Sequence, residues 1–237
     1  MGILSRKLIS AHRETHSRAS WMRDVILGGQ DGLVNVLGIV LGVSAASQDK
    51  KILIAASLAA AFAEAVSMAA VAYTSTLAQI DHYQKEVDTE KDEINKDPQK
   101  EADEVREIYR QKGFSGKLLE DIVATVTKDK ESWLRTLVKE ELGLEKFDKS
   151  TIFTISATVG IAALVASFVP VTPFFFLPHS SAIVVCLISS AIVLFAIGAY
   201  EAKTYVGSWI RNGTQLTLIG LGAALVGFLI GKIFRVN

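Results

Sequence analysis

The chain has 237 residues, half of them hydrophobic, with positive mean hydropathy and a formal charge of zero from 25 basic and 25 acidic residues. That zero hides segregation: Asp81–Lys149 holds 19 of the acidic and 14 of the basic residues, whereas residues 1–23 carry Arg6, Lys7, Arg13, Arg18 and Arg23 against Glu14 alone. The basic groups sit where a cytoplasmic membrane flank puts them, so neither nucleic acid nor a generic acidic partner is expected, and a single cysteine, Cys186, rules out a disulfide framework or a thiolate metal site.

In chain order, residues 1–24 form a basic N-terminal segment with no apolar core of a cleavable signal peptide. Two apolar segments follow, about Val25–Ser47 and Ile52–Ala78. Each is long enough, at 1.5 Å per residue, for a helix to cross a ~30 Å hydrocarbon core. Asp31 lies in the first and Glu64 near the middle of the second. An Asp at such a depth costs about 2.5–3.5 kcal/mol on insertion scales, so it is expected to face a water-filled path, a partner or a cation.

Asp24, Asp31 and Asn35 are spaced i, i+7, i+11 on one helical face, with Gly28, Gly38 and Gly42 offering small-residue surface for close helix approach. On the second span Glu64, Met68 and Ser75 are spaced i, i+4, i+11. A carboxylate oxygen and a thioether one turn apart suit a borderline cation such as Fe²⁺ better than Ca²⁺ or Mg²⁺. Met68 also reads as core packing, Asp31 as one half of a buried polar contact, and Asp24 as an acid stabilised by a helix N-terminus.

The acidic stretch, residues 81–149, reads as an insert of helices. The second span is expected to continue as helix through Ile94, with Glu86, Glu90, Glu93 and Asp97 on one stripe. Asp97-Pro98 is a cap and first-turn pair for a new helix ending near Gly113. Ser115 or Gly116 opens a third, and Asp129 caps a fourth that stops at Gly143. Glu90-x-x-Glu93 and Glu101-x-x-Glu104 each put two carboxylates on one face, and folding back at the proline turn brings the four together, with Glu141 as a fifth. A divalent cation relieves their mutual repulsion, although solvated Glu-rich helices are common without one. A di-iron oxidase would need Glu-x-x-His on two helices, and none of His12, His16, His82 and His179 follows a Glu by three. The expectation is a non-enzyme.

Three more apolar segments, about Thr151–Val169, Ala182–Tyr200 and Thr214–Phe234, bring the spans to five. Most Lys and Arg near span ends fall on the face holding residues 1–24, the insert and the Glu201–Gly213 loop, while the Pro170–His179 loop has none. The positive-inside bias puts the N-terminus and the insert in the cytoplasm. The predicted organisation is therefore an all-α, multi-pass membrane protein: segment 1–24, spans 1–2 over 25–80, a cytoplasmic helical domain over 81–149, and spans 3–5 over 150–237.

Taken together, Arg23-Asp24, Asp31-Gly32-Leu33, Ser67-Met68 with Tyr73, Asp81-His82-Tyr83, the paired glutamates flanking Pro98, Trp133, Glu141-Leu142-Gly143-Leu144, Leu177-Pro178-His179 and Gly198-Ala199-Tyr200 resemble the vacuolar iron transporter family over nearly the whole chain. The resemblance implies a five-span homodimer in lipid, with an ion path between protomers that exchanges cytosolic Fe²⁺, often also Mn²⁺, for protons. It implies path residues at Asp24, Asp31 and Met68, and metal-binding glutamates at Glu90, Glu93, Glu101, Glu104 and Glu141. The metal is substrate, and no permanently bound cofactor is expected. The membrane would be vacuolar in a eukaryote and the cytoplasmic membrane in a prokaryote.

The chain departs from that pattern in two places. Family members carry a second-span glutamate at the position of Ala60 or of Ala72, and this chain instead offers Glu64, one turn from Ala60. Plant-type members have insert methionines where Leu137 and Val138 stand here, which leaves an all-oxygen site favouring Mn²⁺ and other hard ions. The alternative reading is a membrane-anchored metal sensor or buffer through which no ion passes.

Overall fold

A computed structural model describes the backbone of residues 2–145, 148–204 and 207–234, with side chains from Trp21 onward within those ranges. The side chains of Arg6, Lys7, Arg13 and Arg18, which make the N-terminal segment basic, lie outside the described residues, as do those of His12 and His16. The described residues contain helices and no strand: α1 (Gly2–Ala46), α2 (Lys50–Lys96), α3 (Pro98–Gln111), α4 (Gly116–Thr127), α5 (Lys130–Thr136), α6 (Ile152–Val171), α7 (Pro173–Phe176), α8 (His179–Thr204) and α9 (Trp209–Ile233). A π-helical turn, Leu137–Glu141, continues α5, and a 3-10 turn, Lys149–Thr151, leads into α6.

Among the described residues, five helical stretches are long and apolar enough to cross a membrane: Trp21–Ala46, Lys50–Lys96, Lys149–Val171, His179–Thr204 and Trp209–Ile233. These are the five predicted spans, several extended by a turn at one end. Within the predicted Pro170–His179 loop the chain differs, because α6 runs to Val171 and Pro173 starts the short α7. Proline fits at a first helical turn, where its missing N–H is not needed. At 47 residues α2 is about 70 Å long, over twice the hydrocarbon thickness. Its apolar part ends near Ala78, so the polar remainder stands beyond the membrane-spanning segment.

The chain divides into two compact units, Met1–Tyr73 with Phe153–Asn237, and Thr74–Ile152. The second encloses the predicted insert, residues 81–149.

In the first unit one apolar core draws Val36, Leu37, Val40 and Leu41 of α1 together with Leu53 and Ala61 of α2, Phe174, Ala182, Cys186 and Ala224. Glycines let backbones touch. A Cβ on Gly28 or Gly32 would collide with the Val159 or Ala163 carbonyl of α6, and one on Gly227 or Gly231 with the Gly38 or Gly42 carbonyl of α1. Such small-residue contacts replace the hydrophobic driving force that lipid cannot supply. Ser44 Oγ lies 3.0 Å from His179 Nε2, tying the end of α1 to the start of α8. Outward-facing Phe153, Ile161, Val165, Phe176, Leu218 and Ile233 are more than half exposed, as expected where the surroundings are acyl chains.

The second unit has its own core of Ile94, Val105, Leu119, Val123, Trp133 and Leu137. The predicted start signals operate. Asp97 caps α3 by accepting from the Lys100 N–H at 3.2 Å with Pro98 in the first turn, and Asp129 caps α5 by accepting from the Ser132 N–H at 2.9 Å. Gly113 ends α3 at φ +94°, a conformation that a side chain disfavours. The expected fourth helix differs: its ordinary helical part stops at Thr136, and the last turn before Gly143 widens to i→i+5, with the Leu142 N–H bonded to the Leu137 carbonyl at 3.3 Å.

Candidate functional site

In the first unit, α1 and α2 are joined by the three residues Ser47–Asp49, so they form a hairpin. Asp31 lies 15 residues before Ala46 and Glu64 lies 14 after Lys50, both about 21–23 Å from the turn by helix rise. Equal distance from the turn puts them at one depth. The Glu64 carboxyl is within side-chain hydrogen-bonding reach of both Asp31 and Asn35. The structure thus joins the two intramembrane acids and adds the amide from the Asp24/Asp31/Asn35 face. Two carboxyls this close form a place that can accept a cation, since two bare anions in low dielectric repel strongly.

Met68 is half-buried one turn beyond Glu64. Asp24 is buried, two turns before Asp31, and its Oδ1 faces the Arg23 guanidinium at 3.5 Å. Ala60 is half-buried and Ala72 buried.

In the second unit a second hairpin pivots on Asp97, the single residue between α2 and α3. Glu93 and Glu101 stand four residues either side of it, and Glu90 and Glu104 seven. Folding the helices back therefore pairs the two Glu-x-x-Glu motifs. Oxygens of Glu90, Glu93 and Glu101 all lie within 4.8 Å of one another. The Glu101 carboxyl is within side-chain hydrogen-bonding reach of Glu104, and Glu141 feels the charges of Glu104 and Glu93. Of the predicted stripe, Glu86 is engaged elsewhere, 3.5 Å from His82, and Asp97 is the cap of α3.

Burial within the cluster follows from the core. Glu90 precedes Ile94 by one turn and Glu101 precedes Val105 by one turn, so packing Ile94 and Val105 draws both carboxylates inward. Glu90 is 5% and Glu101 0% exposed, and one oxygen of each, Oε2, is buried with no hydrogen-bond partner. An unsatisfied buried carboxylate oxygen is costly, and a proton or a metal ion relieves it. Burial, followed by the charges of Glu141, Glu101, Glu93 and Glu104, pushes the Glu90 carboxyl up to about 7. Burial and the Glu104 contact raise Glu101, and burial with the Glu104 charge raises Glu141. The wide turn Leu137–Glu141 carries Glu141, while Leu137 and Val138 point into the apolar interior. The cluster's donors are thus carboxylate oxygens.

Sequence reading passed over one member. The Lys100 Nζ lies 3.3 Å from Glu101 Oε1 and 3.1 Å from Glu104 Oε1, and these contacts, Glu104 first, raise its ammonium further above its ordinary value. Its spacing of four from Glu104 was the available signal.

A family model described as the VIT family matches residues 22–232. The chain is similar to Vacuolar iron transporter 1 of Arabidopsis thaliana, 31% identical over 231 residues that cover 96% of this chain and 92% of the relative. Vacuolar iron transporter 1 of Eucalyptus grandis is 31% identical over 229 residues, covering 96% and 92%. The Vacuolar iron transporter of Plasmodium falciparum is 29% identical over 241 residues, covering 97% and 88%.

Proposed function

This chain belongs to the VIT family, and on that premise we propose that it is a proton-coupled transporter moving Fe²⁺, and Mn²⁺ with it, out of the cytosol. The observation that carries the reading is the mid-span meeting of Glu64 with Asp31 and Asn35. A site that holds either a proton or a cation couples the two by competition: metal entering displaces the proton, and a proton arriving from the far side displaces the metal. Asp24 and Met68 extend this path along α1 and α2, and Glu64 takes the part of the glutamate absent at Ala60 and Ala72.

The glutamate cluster is the capture site on the cytosolic side, with Glu90, Glu93, Glu101, Glu104 and Glu141 as ligands. Its buried, unpartnered oxygens and all-carboxylate donor set suit a small divalent ion, and the lack of a thioether at Leu137 and Val138 shifts preference toward Mn²⁺. The basic residues near span ends support an N-terminus and cluster in the cytosol. The working unit is a homodimer with the path between protomers, in the vacuolar membrane of a eukaryote or the cytoplasmic membrane of a prokaryote.

The test is flux by the full chain in proteoliposomes carrying an internal pH dye. An acid interior should drive Fe²⁺ and Mn²⁺ uptake while the interior alkalinises as protons leave. Metal binding without flux would make the chain a membrane-anchored buffer instead.

A further inference from the structure

The carboxylate cluster carries a cation of its own. Lys100 is held in the first turn of α3 through its backbone N–H, which donates to the Asp97 cap at 3.2 Å. From there its Nζ reaches Glu101 at 3.3 Å and Glu104 at 3.1 Å, and Glu141 also feels its charge. A cation in a helix's first turn is disfavoured by the macrodipole, so the glutamates are what hold it there. Its side chain is 59% exposed and free to swing into solvent, whereas Glu101 beside it is wholly buried.

We propose that Lys100 is a tethered counter-ion of the cluster, holding Glu101 and Glu104 between metal ions, displaced by an arriving ion and returning to hasten its departure. This rests on the glutamate cluster being the metal site. A tethered ammonium is present at high effective concentration and cannot diffuse away, so every divalent ion must exchange with it. Once displaced, it still repels the bound ion from within one side-chain length. Both effects weaken retention, which suits a site that must pass its ion on. Lys100 is therefore an affinity-setting residue and not a ligand.

The experiment uses the full chain in detergent with Mn²⁺ as the only probe, read by calorimetry and by stopped-flow release into chelator. Lys100→Gln should tighten Mn²⁺ binding about 1.5- to fivefold, the range for removing one solvent-screened charge, and slow release in proportion. Lys100→Arg keeps the charge and should return both toward wild type. Lys130→Gln, which removes a lysine bonded to Asn95 and not to the cluster, should change neither.

Wild-type or weaker binding by Lys100→Gln overturns the proposal. So does equal tightening by Lys100→Arg or Lys130→Gln, since the effect would then not be this cation. The cluster itself is checked separately: if replacing Glu90, Glu93, Glu101 and Glu104 with Ala leaves Mn²⁺ binding intact, the metal-site reading falls, and this inference with it. If that variant loses binding while Lys100→Gln behaves as wild type, only the role of Lys100 falls.

Discussion

The α1–α2 hairpin and the α2–α3 hairpin both bring acids together by placing them at equal distances from a short turn, yet they stabilise the result differently. Asp31 and Glu64 meet singly, one from each helix, with the neutral amide of Asn35 as third member. Around Asp97 the acids come two per helix, Glu141 adds a fifth, and the third party is the ammonium of Lys100. In a membrane-spanning unit every polar group needs an internal partner and each added charge is expensive, so one pair and an amide is an economical arrangement. In the other unit solvent reaches Lys100 and Glu141, and more like charges can be gathered. One arrangement suits exchange of a single ion with protons, the other collection of ions.

The strongest way to break this comparison is Asp31→Ala. Flux in proteoliposomes should fall to that of empty vesicles while calorimetric Mn²⁺ binding stays within about twofold of wild type, because the cluster keeps all its ligands. Wild-type flux would make Asp31 structural. The reciprocal variant, Glu90, Glu93, Glu101 and Glu104 to Ala, should lose most calorimetric binding. Retained binding there would erase the distinction between the hairpins.

Glu64→Gln sharpens the membrane side. Gln keeps the shape and cannot ionise, so acid-driven Fe²⁺ uptake should be lost. Moving the acid back one turn, as Glu64→Ala with Ala60→Glu, should restore part of it, since both positions project onto nearly the same helical face. Unchanged flux and pH dependence in Glu64→Gln would leave Asp31 or Asp24 as the proton carrier.

The smallest expected effect is the pH dependence of the cluster. With the Glu90 carboxyl raised to about 7, metal competes with a proton below that pH, and Mn²⁺ affinity should drop by up to about tenfold per pH unit from 7 to 6. Folding of the metal-free unit has the opposite pH dependence. A raised acid binds more protons folded than unfolded, so the stability that its protonation contributes to the metal-free unit is full below about 4.5 and is lost as pH rises through about 7. Melting of the metal-free protein should therefore shift downward over that interval, and Mn²⁺ should offset the shift at pH 8. A flat affinity profile across pH 6–8 would remove Glu90 from the site.

Much of this was legible in sequence. Span lengths, the continuation of α2 as helix through Ile94, the Asp97-Pro98 and Asp129 caps, and the stops at Gly113 and Gly143 all depend on residues within a turn or two of one another. The Glu-x-x-Glu spacing likewise declares a shared helical face without reference to any partner. The conversion of the last turn, Leu137–Glu141, to π-helix was not legible, because nothing local distinguishes it from the ordinary helix expected there.

What the sequence by itself determined is the five spans and the main helices between the second and third of them, the faces on which the acids lie, and the turns about which two hairpins fold. Only the tertiary structure decided that Glu90 and Glu101, rather than Glu86 or Asp97, are buried with an oxygen unpartnered, that Lys100 closes on Glu101 and Glu104, and that Glu64 reaches Asp31 and Asn35 together. The reason is range: helical periodicity and capping act over four residues, whereas burial of a carboxylate depends on which apolar neighbour its helix must pack, here Ile94 and Val105 against Trp133 and Leu137 from elsewhere in the chain.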